Sequence, residues 1–175
     1  MNLLEMILAV LLSWPAFYTE TDEQPEARRV RLVMAALAIE HTAKQSAEPK
    51  QMAAALLTIG FEESRFAAYV GQGRCDEGPK GARCDRGKAR GYWQLWRVSC
   101  PAAWELPHNT REALRAETAC AARIWRGALL RNRSCHPAGK IAGAFAGYRG
   151  GADCRWPRAA GRAQRYQRVL YRLKG

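Results

Sequence analysis

Apolar residues recur at the helical period along most of this chain, and no stretch alternates as a half-buried strand does. A first apolar run, Leu3 to Leu12, contains Glu5 and ends at Trp14-Pro15, where proline disfavours helix in the residue before it; the pattern predicts a helix over about 2–13. A polar connection from Thr19 to Pro25 leads into a long helix, about 26–44, whose apolar positions Val30, Val33, Leu37 and Ile39 recur near the helical period. Pro49 then marks the first turn of a helix over about 50–65 that is apolar nearly all round, the mark of a central buried element. Residues 71–91 are punctuated by Gly71, Gly73, Gly78, Pro79, Gly81, Gly87 and Gly91 and read as a charged loop. Helix resumes over about 93–104, 111–131, 138–147 and 159–173, with Gly147, Gly150, Gly151 and Pro157 separating the last two. There is no internal repeat and no linker, so the fold class is all-α. Residues 1–45 are expected as a helical extension packed on the same domain as residues 46–175.

Charge adds a direction to this picture. Among 175 residues, 28 Lys and Arg against 16 Asp and Glu give a net charge of +12. Most of the excess lies in residues 131–175, where the basic residues face Asp153 alone, while residues 1–25 carry no Lys or Arg. Such a surface attracts polyanions, whether nucleic acid, anionic lipid or bacterial cell wall. No run approaches the roughly 18 apolar residues of a membrane span, so stable membrane insertion is not expected.

The six cysteines, at 75, 84, 100, 120, 135 and 154, are even in number and include no C-x-x-C pair, and no His pair stands at helical spacing. A disulfide framework therefore fits better than a metal site, and no metal or cofactor is expected. Of the 15 pairings that six cysteines allow, proximity favours only Cys75–Cys84, closing the Gly-rich loop. Disulfides imply an extracytoplasmic location, periplasmic or secreted. The export route is not evident, since the N-terminal run lacks a basic flank, contains Glu5 and offers no A-x-A cut, and it reads as a structural helix.

The chemistry is concentrated near Phe61-Glu62-Glu63-Ser64-Arg65-Phe66. Counting back from Glu63, Ile59, Leu56 and Met52 form an apolar stripe, so Glu63 prolongs a buried face at the negative end of a helix. Desolvation there would keep a carboxyl protonated, as a general acid for glycosidic cleavage requires. The plain alternative is that both glutamates are helix-end charges pairing with a neighbouring arginine. Gly91-Tyr92-Trp93-Gln94 offers close backbone approach, two aromatic faces and an amide, or else an ordinary helix start with buried aromatics. Later come Ala144-Phe145-Ala146-Gly147-Tyr148 and, on an amphipathic terminal helix, Tyr166, which would equally serve as a core residue.

In this order, an E-S-x-F run, a G-x-x-Q run, an A-Y-N-x-G-like run and a late tyrosine, these segments resemble the lysozyme superfamily over about residues 50–171. Within it they resemble the soluble lytic transglycosylase type, with goose-type lysozyme as a cousin. Phe145-Ala146 stands where that family carries Tyr-Asn, so a polar sugar contact is missing or is supplied by Tyr148.

The resemblance implies a lysozyme-like domain that cleaves the β-1,4 bond between N-acetylmuramic acid and N-acetylglucosamine in peptidoglycan glycan strands, acting as a monomer. Glu63 maps onto the catalytic acid. Ser64, Gly91, Tyr92, Trp93, Gln94, Phe145, Tyr148 and Tyr166 map onto the sugar-binding cleft. With one committed carboxylate, the expected product is a 1,6-anhydromuramic end. The alternative is a hydrolytic muramidase using a second carboxylate, Asp76 or Asp85, each beside a loop cysteine. A non-catalytic glycan binder remains open. A basic nucleic-acid-binding module also accounts for the charge, but zinc-finger, RRM and basic-zipper signatures are absent and nucleic acid is not the expected partner.

Overall fold

The computed structural model describes residues 1–15, 23–74, 87–131, 139–148 and 158–175. Among them the chain is mainly helical: α1 (Leu3–Ser13), α2 (Pro25–Lys44), α3 (Pro49–Ser64), α4 (Ala68–Gly71), α5 (Pro101–Trp104), α6 (Arg111–Arg131), α7 (Gly139–Tyr148) and α8 (Arg158–Lys174). The one sheet among these residues is a hairpin of β1 (Ala89–Arg90) and β2 (Leu95–Trp96), antiparallel, with Ala89 opposite Trp96 and Arg90 opposite Leu95.

The Glu5 that interrupts the first apolar run begins the helix instead. Its side chain accepts from the Asn2 amide while Asn2 accepts from the Glu5 amide, a reciprocal cap that satisfies the free N–H groups of α1. Met6, Ile7, Val10 and Leu11 bury the opposite face. Helix α3 is the axis of the core: from Met52 to Phe61 every residue is buried, and α2, α6, α8 and α1 all pack around it. The small residues Ala53, Ala54 and Ala55 let those neighbours come close. The expected face of α8 is observed, with Tyr166, Val169, Leu170 and Leu173 buried.

Two expectations are corrected. On α2 the buried face is Leu32, Ala35, Ala36 and Ile39, while Val30 is exposed. The helix is rolled so that Arg31 points inward, where it meets Glu23 at 2.6 Å and the carbonyl of Phe66. The helix expected over 93–104 is also not continuous. Gly91 and Gln94 both take left-handed backbone, at φ of 65° and 49°, which folds residues 91–94 into a tight turn and pairs β1 with β2 before the short α5. So short a hairpin leaves no alternating pattern to read.

Cys100 and Cys120 form a disulfide between the residue before α5 and the middle of α6. The other four cysteines, the expected Cys75–Cys84 closure included, lie outside the described residues. Closing a loop with a sequence separation of 20 should stabilise the fold by about 3 kcal/mol through the entropy of the unfolded chain. A Cys100→Ser/Cys120→Ser double variant is expected to lose that amount in urea denaturation. An unchanged midpoint, or free thiols at these two positions in the denatured, unreduced protein, would refute it.

Candidate active site

Glu62 and Glu63 occupy the last turn of α3, and the chain leaves that helix abruptly. Arg65 and Phe66 are both left-handed, at φ of 56° and 54°. Two consecutive non-glycine residues in that region carry strain, and the surroundings hold them there. The Ser64 hydroxyl donates to the Gly60 carbonyl at 2.9 Å and accepts from the Phe66 amide at 3.1 Å. The Phe66 ring lies against Gly60 so closely that a Cβ on Gly60 would overlap it. Arg31, from α2, donates to the Phe66 carbonyl. Ser64, expected as a sugar contact, is thus a buried cap on the turn.

This turn aims both glutamates at α8. Arg162 Nη1 lies 2.5 Å from Glu63 Oε1, and Arg165 Nε lies 2.5 Å from Glu62 Oε1, with Arg162 Nε 3.9 Å from the second Glu62 oxygen. The Glu63 side chain is 9% exposed and that of Arg162 is 3%. The sequence reading placed Glu63 among apolar neighbours; the structure gives its carboxylate a cation. Arg65 and Arg165 also stack on the Phe61 ring at 4.1 and 4.2 Å, so three arginines surround the pair of carboxylates.

The G-x-x-Q segment approaches the same region from below. Phe66 packs against Tyr92 and Trp93 at centroid distances of 5.3 and 5.9 Å, joining the first two motifs directly. Both rings are fully buried, and the Trp93 indole donates to the Leu56 carbonyl of α3 at 3.0 Å. They support the turn and present no face to a sugar. Gln94 is half-buried, and its amide donates back to the Gly91 carbonyl at 3.0 Å. Phe145 and Tyr166 pack with Trp125 in the core, and burial, then the charge of Glu48, pushes the Tyr166 hydroxyl up to about 12. Both rings are buried.

Tyr148 links the motifs. At the end of α7 its hydroxyl donates to the Trp93 carbonyl at 3.0 Å. Burial raises this hydroxyl well above its ordinary value, and the charge of Glu63 acts in the same direction. Glu63, Gln94 and Tyr148 are therefore the expected site residues that are only partly buried, and of these Tyr148 feels the Glu63 charge. Asp76 and Asp85 lie outside the described residues.

Three groups escaped the sequence reading. Arg162 is 99 residues from its partner Glu63. Arg90 and Glu117 form a buried pair under the G-x-x-Q turn, with Arg90 Nε 3.1 Å from Glu117 Oε1. Glu117 left a signal: Leu114 and Ala121 stand one turn to either side, so a carboxylate interrupts an otherwise apolar stripe.

Among the described residues no group of three or more His, Cys, Asp and Glu is arranged to hold a metal ion. A cleft of about 650 Å³ lies at the other end of α3, lined by Met1, Leu3, Met6, Lys50, Leu170 and Lys174 among others. It shares no residue with the carboxylate pair. Comparison with protein-family models, with curated proteins and with solved structures finds no match for this chain.

Proposed function

We propose that the protein cleaves the β-1,4 MurNAc–GlcNAc bond of peptidoglycan as a lytic transglycosylase, with Glu63 as its acid and base. The observation that carries this reading is the convergence of three separated motifs. Phe66, three residues past Glu63, packs on Tyr92 and Trp93, and Tyr148 bonds the Trp93 carbonyl within reach of the Glu63 charge. In this reading Glu63 gives its proton to the leaving oxygen as the C1–O4 bond breaks. It then takes the proton of the muramic 6-hydroxyl as O6 closes on C1, so no water is consumed. Arg162, at 2.5 Å, pairs with the carboxylate left between those two transfers. Gln94 and Tyr148 orient the sugar.

The surplus of positive charge suits an anionic wall, and the Cys100–Cys120 disulfide accords with an extracytoplasmic location. No helix among the described residues is long and apolar enough to cross a membrane. Among those residues Glu62 and Glu117 are the other carboxylates near this region, one paired with Arg165 and the other buried against Arg90. That favours anhydro formation over hydrolysis, which needs a second free carboxylate.

The expected result is therefore that digested peptidoglycan yields 1,6-anhydromuramic ends, one water lighter than reducing ends by mass spectrometry. Products that are all reducing sugars would exclude the transglycosylase route and favour a muramidase using Asp76 or Asp85. A second reading rests on the arginine clamp. If the Glu62–Arg165 and Glu63–Arg162 pairs only tie α3 to α8, the protein is a non-catalytic glycan binder. A zymogram on embedded peptidoglycan, clear of lysis while the protein is retained on the wall, would favour it.

A further inference from the structure

The aromatic rings expected to meet a sugar at Tyr92, Trp93, Phe145 and Tyr166 are all buried, so the glycan of the proposed reaction needs another surface to lie on. Trp96 offers one. It is 49% exposed, and of the tryptophans among the described residues it alone is exposed. It stands two residues beyond Gln94, about 7 Å along extended backbone, with the buried Leu95 between them. Successive side chains of a strand leave on opposite faces, so Trp96 points away from the face that Leu95 turns to the core. Its partner across the hairpin is Ala89, which adds only a methyl group and cannot cover an indole. Ala89 in turn packs with Ala67, Tyr69 and Val70, the segment that directly follows the Phe66 turn. The hairpin carrying Trp96 is thus seated on the stretch of chain that leads out of Glu62 and Glu63.

The backbone beneath this indole is fixed from several sides. The Trp96 carbonyl accepts from the amides of Ser99 and Cys100, both at 3.0 Å, and Cys100 is tied to α6 by its disulfide. The Trp104 indole donates to the Leu95 carbonyl at 3.1 Å. A large apolar side chain presented on a rigid turn has little backbone freedom left to lose on binding. Its rim is polar: Arg97 Nη2 meets Glu105 Oε1 at 2.9 Å, and both side chains are well exposed. Val98, beside Arg97, is 86% exposed and widens the apolar surface.

These features select a class of ligand. A pyranose ring has an apolar C–H face that packs on an indole, and hydroxyls around its edge that exchange hydrogen bonds with charged side chains. A polyanion is served poorly here, because the guanidinium beside the ring is already matched by a carboxylate that repels anions. We propose that Trp96, with Arg97 and Glu105 at its rim, is a saccharide subsite that holds one sugar of the glycan strand away from the bond being cleaved, a role that rests on wall glycan being the ligand. The strand would then run from Glu63 past Gln94 and onto the exposed face of the indole.

The test is NMR of the full chain labelled with nitrogen-15 and titrated with tetra-N-acetylchitotetraose, a soluble β-1,4-linked probe. The indole N–H of Trp96, identified by its loss in Trp96→Phe, should shift as the sugar is added, while that of the buried Trp125 stays in place. Trp96→Ala should weaken binding about 10-fold, the scale for truncating a tryptophan at the centre of a contact, and Trp96→Phe should recover part of the loss. A Trp96 signal that does not move, an unchanged affinity in Trp96→Ala, or a shift produced by dextran sulfate and not by the oligosaccharide would overturn the proposal. Should Trp96→Ala not fold, the indole signal of the unaltered protein decides alone. On peptidoglycan the loss in Trp96→Ala should appear mainly as a raised KM, and a loss confined to kcat counts against the subsite. Cleavage of peptidoglycan with no response at Trp96 would refute the subsite and leave the proposed function standing. A response at Trp96 without cleavage by the unaltered protein would refute the transglycosylase and leave the subsite to a glycan binder.

Discussion

Replacing Glu63 by glutamine is expected to lower peptidoglycan cleavage about 10²- to 10⁴-fold, the usual contribution of a positioned general acid or base. The amide is close to the carboxyl in shape and still accepts a hydrogen bond from Arg162, so the contact between α3 and α8 survives in weakened form. It has no acidic proton for the leaving oxygen. Glu62→Gln is the control, since that carboxylate sits one residue away and is held by a different arginine, Arg165. It should lose far less activity. Zymograms and release of soluble muropeptides read the first effect, and thermal unfolding of both variants reads the clamp. Equal losses of activity at both positions would assign the chemistry to the wrong carboxylate. A loss of stability at Glu63 with no activity in any variant would favour the glycan-binding reading.

The second large effect lies in the core. Glu117→Leu is expected to cost about 3–5 kcal/mol, the range for removing one partner of a buried ion pair. Arg90→Leu should cost less, because the two survivors differ in chemistry. A guanidinium left behind by Glu117→Leu cannot shed its charge, so the cost persists at every pH. A carboxyl left behind by Arg90→Leu takes up a proton and becomes a neutral buried group. Stability of Arg90→Leu should therefore rise as pH falls, whereas Glu117→Leu should show little such gain. The unaltered protein carries a milder form of the same dependence. The folded value of Glu117 is raised from 4.5 to about 7, so its contribution is fully present below 4.5 and is lost as pH rises through 7. The integrated change is about 3 kcal/mol. Urea denaturation at pH 5.5 and 8 would reveal the ordering, and equal losses in both variants at both pH values would contradict it.

Much of the helical framework was legible because it depends on local periodicity. The expected spans of α1, α2, α3, α6, α7 and α8 begin and end within a residue or two of those observed. What the pattern could not convey depends on contacts distant in sequence. Val30 fits an apolar stripe on α2, yet Arg31 beside it turns inward, because Glu23 and the Phe66 carbonyl await it. The hairpin at 89–96 is too short to alternate. Tyr92, Trp93, Phe145 and Tyr166 read as sugar platforms or as core with equal ease, since aromatic composition is the same for both, and burial distinguishes them. Glu63 was singled out by its apolar stripe, but its cation arrives on α8, from the far end of the chain. Ion pairs of that kind have no sequence period.

The inward turn of Arg31 bears on where the working unit of this protein begins. The motifs that suggest chemistry fall within residues 50–171, and a protein engineer reading them alone would cut near residue 45. Such a fragment would keep every candidate catalytic group and lose the guanidinium that holds the Phe66 carbonyl, together with α1 and α2, which cover one side of α3. The apolar residues on that side would face water, and the two left-handed residues after Glu63 would be released from one of their restraints. The smallest piece that carries the motifs is thus shorter than the smallest piece that can hold them in shape. Transplants, fusions and deletion series in this protein have to respect the longer one.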